Sequence, residues 1–277
     1  MKPKDLTIVI VTFKSEEIIL NCLKSIPPEI SIIIVENSND INFKKKIEAD
    51  FSNVNCILTG KNQGYSIANN IGLKKVQTNY ALVLNPDAIL DKEAINNFLV
   101  TASRKKDFWL IGPAKDQGIN YDFKNDNLKE VNNLKGFAIF FNVSKFNQKY
   151  FDENFFLFFE EIDLCKRVAK NNGQIYLDSN IIINHKGASS VKNSKILELE
   201  KNRNWHWMWS TFYYHKKYKG FLLAIIIVFP KFISAIFKII FYSLVFNKDK
   251  RDIYFCRLSG IFNSIAGKKS WYRPSID

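Results

Sequence analysis

YALVLNPDA, residues 80–88, joins an apolar run to a turn that carries a single carboxylate. YALVL has the length and composition of a buried strand. Pro86 cannot continue a strand interior, so the chain must turn there and leave Asp87 at the strand mouth. Asp87 is then either a solvated turn residue or a ligand for a cation. The same apolar pattern recurs outward from this stretch. LTIVIVT (6–12), SIIIV (31–35), VNCIL (54–58) and FWLIG (108–112) each read as buried parallel strands. Helices are predicted between them: from Ser15 as N-cap, with Glu16 and Glu17 in the first turn, to about Ile26, where Pro27 and Pro28 stop it; over 41–50; from about Tyr65 to Val76; and from about Asp91 to Arg104. Strict alternation of strand and helix predicts an α/β sheet, mostly parallel, with helices on both faces. Ligands bind such sheets at the carboxyl ends of the strands. Here those ends carry Thr12, Glu36 with Asn37, and Asp87.

Residues 113–135 are polar and read as a loop or flap. GFAIFFN (136–142) restores a strand. A helix is expected from about Glu160 to Asn171, with Gly173 as its stop. QIYLD (174–178) and IIINH (181–185) are two further short strands. From about Asn193 the chain reads as helical and aromatic, then strongly apolar. The organisation expected is therefore an α/β sandwich over 1–192 and a helical, apolar and basic region over 193–277.

Charge separates these regions. Residues 1–185 hold 23 basic and 22 acidic side chains, whereas residues 186–277 hold 17 basic and 5 acidic. A basic tail suits nucleic acid or anionic lipid. FLLAIIIVFPKFISAIFKIIFYSLVF (221–246) favours lipid, since a soluble nucleic-acid arm would not carry it. As one helix it would be about 39 Å long, enough to cross a bilayer. Lys231, Ser234, Lys238 and Tyr242 nevertheless recur at helical spacing as one polar stripe. With the upstream Trp and Tyr residues among lysines, this favours a helix or helical hairpin lying at the membrane surface. Pro230 is expected to bend or start a helix. LTIVIVTF is short for a secretory signal and no small-residue cleavage site follows. The body is expected to stay in the cytosol, at the inner face of the plasma membrane, as a peripheral or monotopic protein. The four cysteines show no metal-like spacing and read as reduced, apolar fillers.

The first turn, VTFKSEE (11–17), holds no glycine, which argues against a dinucleotide-binding domain; a Walker A loop is also absent. Nucleotide recognition would need other groups. Glu36 can accept from a pyrimidine imide or a ribose hydroxyl, or belong to a solvated turn. Asn62 and Gly64 precede a helix whose N-terminal N–H groups suit an anion. Asn69 and Asn70 are poor helix formers placed mid-helix, so a polar role is plausible for them.

Taken together, VTF (11–13), VENS (35–38), GKNQGYSIANNIG (60–72), LNPDA (84–88), FDENFFLFFEEIDLCKR (151–167) and INHKGASS (183–190) resemble family 2 of the inverting glycosyltransferases, in particular its rhamnosyltransferase-like branch. The resemblance covers about residues 6–190. It departs from the family pattern in Glu36, where Asp is usual, and in Glu160-Glu161, where Glu-Asp is frequent; each change adds a methylene and keeps the charge.

The resemblance implies a GT-A fold and a dTDP- or UDP-linked donor held by Thr12, Phe13, Glu36, Asn37, Asn62, Gly64, Asn69 and Asn85. It implies Mg²⁺ or Mn²⁺ on Asp87, with His185 as a second metal or phosphate contact. Such a cation takes oxygen ligands and needs few protein contacts when phosphates supply the rest. Glu161 is the implied general base, with Glu160 as fallback. Asp152, Glu153 and Asp163 are placed on the acceptor side, and Asp163 can also pair with Arg167 one turn on. The expected reaction moves a rhamnose-like deoxyhexose to a polyprenyl-linked or saccharide acceptor in bacterial surface polysaccharide synthesis. A UDP-hexose or galactofuranose donor, or a silent scaffold of an assembly complex, are the alternatives.

Overall fold

The structure is a computed structural model, which describes residues 3–115, 123, 126–185 and 196–273. The boundary expected near residue 192 lies outside the described residues. The chain forms two compact units: Met1–Asp152 with Glu161–Ser190, and Glu153–Glu160 with Val191–Asp277.

The first unit is built on an eight-stranded sheet. Its strands are β1 (Leu6–Thr12), β2 (Ser31–Glu36), β3 (Val54–Leu58), β4 (Tyr80–Leu84), β6 (Phe108–Pro113), β7 (Leu128–Glu130), β8 (Ala138–Asn142) and β9 (Gln174–Asp178). Their spatial order is β3-β2-β1-β4-β8-β6-β9-β7. The four strands β1 to β4 pair in parallel, and β6 with β9; β8 runs antiparallel to both β4 and β6, and β7 antiparallel to β9. The chain leaves β1 toward β2 on one side and reaches β4 on the other. This reversal places the carboxyl ends of β1, β2 and β4 around one crevice. Two more strands, β5 (Ala88–Leu90) and β10 (Ile183–His185), form a separate antiparallel pair.

Strand periodicity divides the core. Ile8, Ile10, Ile32, Ile34, Leu82 and Leu84 face α1 (Glu16–Lys24), α2 (Ile41–Asp50) and α4 (Ala94–Arg104) through Ile19, Phe43, Ile47 and Phe98. Val9, Ala81, Val83 and Phe141 face the opposite side, where α3 (Tyr65–Leu73) and α5 (Glu160–Lys170) supply Leu73, Leu164 and Val168. Gly72 lets α3 rest on β1, since a Cβ there would lie 2.4 Å from Val9 Cγ1. The helices expected to end near Val76 and start near Asp91 are shorter, and β5 and β7 were not foreseen. Cys22, Cys56 and Cys165 are buried and none of the four thiols is disulfide-bonded.

The second unit contains α6 (Ile196–Lys219), α7 (Phe221–Leu244) and α8 (Lys248–Ile265). Gly220 breaks α6 from α7 with a left-handed φ of 83°. α7 runs through Pro230 without interruption, so that proline neither starts nor ends a helix. Met208, Phe212, Ala224, Val228 and Ile261 make the shared core of the three helices. Gly260 packs α8 onto α6, since a Cβ there would lie 2.3 Å from the Trp205 carbonyl oxygen. His206 is fully buried between Phe156, stacked at 4.3 Å, and the Tyr272 carbonyl, 2.8 Å from Nε2.

Burial pushes His206 down to about 3, against the smaller opposing pull of the Tyr272 carbonyl. Below its usual pKa the unfolded chain takes up a proton that the folded unit refuses. Stability should therefore fall as pH drops from about 6.5 toward about 3, by an amount on the order of 4 kcal/mol. Denaturant unfolding across that range checks this; His206→Gln should flatten the profile, and an unchanged profile would contradict the assignment.

Candidate functional site

The carboxyl ends of β1 and β2 are locked together before any ligand is considered. Thr12 pairs with Glu36 in the ladder, and the Thr12 carbonyl accepts from Asn37 N at 2.8 Å. The Thr12 hydroxyl is buried and has no hydrogen-bond partner among the described residues. Phe13 is half-buried beside it. Ser15 occupies the N-cap of α1 but its hydroxyl turns back to the Phe13 carbonyl at 3.1 Å, so it caps no helical N–H.

Glu36 is held by the turn that follows it. It is 1% exposed, and its carboxylate accepts from Ser38 N at 3.0 and 3.1 Å, from the Ser38 hydroxyl and from Asp40 N at 2.7 Å. The turn formers that follow it fold back onto it, so Glu36 organises its own loop. Asn37 plays the joining role. Its amide donates to Asn62 Oδ1 (3.2 Å) and the Gly64 carbonyl (3.4 Å), and its oxygen accepts from Gln63 N (2.8 Å). Asn37, Asn62 and Gly64 thus form one cluster at the start of α3, where Gly64 has a left-handed φ of 83°.

Asn69 lies deeper in the fold. It is fully buried on the sheet-facing side of α3, three residues before Gly72, and its amide donates to the Tyr65 carbonyl at 2.9 Å. Helical geometry points it into the sandwich. Asn70 serves the fold, since both atoms of its amide group clasp the backbone of Phe151, each at 2.9 Å.

At the end of β4, the Ala88 N–H donates to the Asn85 carbonyl at 3.1 Å, closing a β-turn with Pro86 in its second position. The antiparallel pair β5–β10 sets His185 opposite Ala88. His185 Nε2 consequently lies 3.2 Å from Asp87 Oδ1 and 3.5 Å from Asn85 Nδ2. Phe137 stacks on the imidazole with centroids 4.7 Å apart and fixes its plane. The two polar neighbours ask opposite things of Nε2: Asp87 needs a proton there, Asn85 a lone pair. A divalent cation between Asp87 and His185 would use both lone pairs, so the donor set fits one. No cluster of three or more His, Cys, Asp or Glu side chains is found among the described residues, so such an ion would take its remaining ligands from phosphate and water. Cys22 lies close by; burial, then the Asp87 charge, pushes its thiol up to about 12, which removes it as a nucleophile.

Gly136 and Phe137 tie this corner to Glu161. The Phe137 carbonyl accepts from Asn85 N at 2.8 Å. A Cβ on Gly136 would sit 3.7 Å from Glu161 Cβ and 3.8 Å from the Tyr65 hydroxyl, which itself donates to the Gly136 carbonyl at 2.7 Å. Tyr65, Gly136 and Phe137 were not singled out from the sequence, because their only signal is position beside residues that were. Glu161 opens α5, keeps some accessible surface, and accepts from the free backbone N–H groups of Glu161 and Ile162. Burial outweighs those bonds and holds its carboxyl above the usual range. Glu160 is buried, with 7% exposed.

Asp163 lies inside the fold. It is fully buried, with Oδ2 2.8 Å from Arg167 Nε, and Arg167 continues to the Tyr150 carbonyl. The pairing of Asp163 with Arg167 therefore anchors α5. Asp152 is half-buried and Glu153 exposed.

The sheet, its crevice and the C-terminal helices define a GT-A-like α/β sandwich with an appended helical unit. The model of glycosyl transferase family 2 matches residues 7–166, and the chain belongs to that family. It is 30% identical over 195 residues to the low-salt glycan biosynthesis hexosyltransferase Agl10 of Haloferax volcanii, over 61% of this chain and 62% of that protein. The chain thus spans less than two thirds of that relative's length. Mannosyltransferase PcManGT from Pyrobaculum calidifontis, solved with GDP-Man and Mn²⁺, aligns with a TM-score of 0.60 at 11% identity, over 96% of this chain and 88% of that one. TarS 1-349 from S. aureus, solved with UDP-GlcNAc, aligns with a TM-score of 0.52 at 16% identity, over 97% and 93%. At such identities the likeness bears on the fold alone.

A raised carboxyl favours folding only while protonated, so ionised Glu161 costs stability at neutral pH. Glu161→Gln should therefore raise Tm at pH 7.5. The gain should shrink as pH falls toward the ordinary carboxylate range. Calorimetry at several pH values checks this; a destabilised variant at pH 7.5 would contradict it.

Proposed function

We propose that the chain is an inverting, metal-dependent glycosyltransferase. It moves a sugar from a nucleoside-diphosphate donor to a polyprenyl-linked or saccharide acceptor in surface polysaccharide synthesis, at the cytoplasmic face of the plasma membrane. The observation that carries this reading is the short link from cation corner to base. Asn85 bonds to Phe137, Phe137 stacks on His185, and Gly136 lies beside Glu161, close enough that a Cβ there would meet the Glu161 side chain at 3.7 Å. An acid for the metal and an acid for the proton so border the same two-residue segment. The rhamnosyltransferase-like motifs favour a dTDP- or UDP-linked deoxyhexose. The hexosyltransferase name of the Haloferax relative favours a second reading, a UDP-hexose or galactofuranose donor.

Asp87 and His185 would hold Mg²⁺ or Mn²⁺, with Asn85 beside them. Once bound, the ion would neutralise charge on the departing diphosphate. Thr12, Phe13, Asn37, Asn62 and Gly64 border the nucleotide side at the strand ends. Glu161 takes the proton of the acceptor hydroxyl as that oxygen attacks the anomeric carbon from the face opposite the diphosphate, which inverts the configuration. Its raised carboxyl makes it the stronger base, and its accessible surface favours it over buried Glu160. Asp152 and Glu153 precede this helix and remain the candidates for acceptor contact.

A panel of nucleotide sugars with Mg²⁺ or Mn²⁺, read by binding and by slow donor hydrolysis, tests the reading. Asp87→Ala should lose metal-stimulated nucleotide binding and at least about 100-fold in turnover. Glu161→Gln should keep nucleotide binding and lose about 10²–10⁴-fold in transfer. Failure of every donor would favour a silent scaffold, and turnover that survives in both variants would overturn the assignments.

A further inference from the structure

We propose that α7 lies in the plane of an anionic membrane surface as an inserted wedge and does not cross the bilayer. This rests on the membrane-surface part of the proposed function and not on the chemistry. α7 is the one helix among the described residues long and apolar enough to span, so length alone leaves both arrangements open. The distribution of its side chains separates them.

Leu222, Ile226, Phe229, Phe237, Ile240 and Leu244 are all exposed, Leu222 at 77% and Leu244 at 72%. Their spacing of three, four, seven or eight residues puts them on one line along the whole helix. Ala224, Val228 and Ala235 lie on the opposite side, and the first two pack against α6 and α8. Lys231 and Lys238 are exposed and lie on the side away from that line, three or four residues from Val228 and Ala235. Basic groups also stand at each end: Lys216 lies over the Phe221 ring and Lys250 over the Tyr242 ring.

A spanning arrangement conflicts with this pattern. Lys231 sits at the middle of Phe221–Leu244, so spanning would carry its exposed ammonium to the bilayer centre. Phe232 of α7 packs against Phe262 of α8 at 5.5 Å, so α8 would be drawn to that depth with Arg257 and Asn263. In the plane, the apolar line meets acyl chains along its full length. The lysines, on the side away from the acyl chains, then stand at the level of the headgroup phosphates. Residues 186–277 hold 17 basic against 5 acidic side chains, and this excess selects anionic lipid.

The test uses the full chain synthesised with phosphatidylcholine vesicles, with or without phosphatidylglycerol. Flotation should require phosphatidylglycerol. The double variant Ile226→Asp, Phe237→Asp should reduce it at least about tenfold without changing nucleotide binding. Lys231→Gln with Lys238→Gln should weaken it, whereas a spanning helix would gain from losing a buried charge. An impermeant maleimide added outside should label Lys4→Cys and Lys248→Cys alike, both in a Cys256→Ser background. Flotation with only one of the two labelled would mean a span and overturn this inference while sparing the membrane reading. No flotation, with concentration-dependent dimers, would mean that a second copy covers the stripe, and both would fall.

Discussion

The antiparallel pairing of Ala88–Leu90 with Ile183–His185 is the interaction on which the site depends. Asp87 is placed by its own turn, but a lone carboxylate at a strand end is no more than a turn residue. The short ladder brings an imidazole from 98 positions further along the chain to 3.2 Å. Phe137 then fixes the ring plane, and its carbonyl holds Asn85. Three segments distant in sequence are joined by contacts that each use backbone or an aromatic face, so side chains able to bind a ligand are left for that purpose.

The start of α5 is held in a different way. Phe158 and Phe159 both have φ near 70°, a left-handed conformation that bulky side chains rarely adopt. Within their own unit they are clamped by rings: Phe158 against Trp207, and Phe159 against Trp207 and Tyr214. This aromatic packing offsets the backbone cost. The helix that follows begins at once with its acidic pair, and the buried Asp163–Arg167 ion pair ties it to the first unit's backbone at Tyr150. Strain held immediately before a candidate catalytic group is a common feature of working sites.

Much of the sheet was legible because buried parallel strands need continuous apolar runs, and Leu6–Thr12, Val54–Leu58 and Tyr80–Leu84 fall where such runs stand. β5 and β7 were not, since three residues cannot display a period and their partners lie far along the chain. The fold class and family followed from ordered motifs. What individual polar residues do within those motifs did not. Glu36 serves its own loop because Ser38 and Asp40 offer donors within four residues. Asn69 points into the sandwich because the glycine three positions on brings α3 down onto β1. A motif records that a residue type is placed; only packing shows whether its lone pairs remain available. The same limit hid Tyr65, Gly136 and Phe137, whose importance is contact and not chemistry.

On the function proposed, Asp87 and His185 would hold the ion and Glu161 would face it across the transferred sugar. The most direct measurement is an anomalous difference map at the manganese edge, from crystals soaked with Mn²⁺ and UDP or GDP. The expected result is a single strong peak between Asp87 and His185, with nucleotide phosphates completing the coordination and the Glu161 carboxylate facing them across an open gap. Manganese bound elsewhere, or Glu161 separated from the phosphates by packed protein, would contradict it.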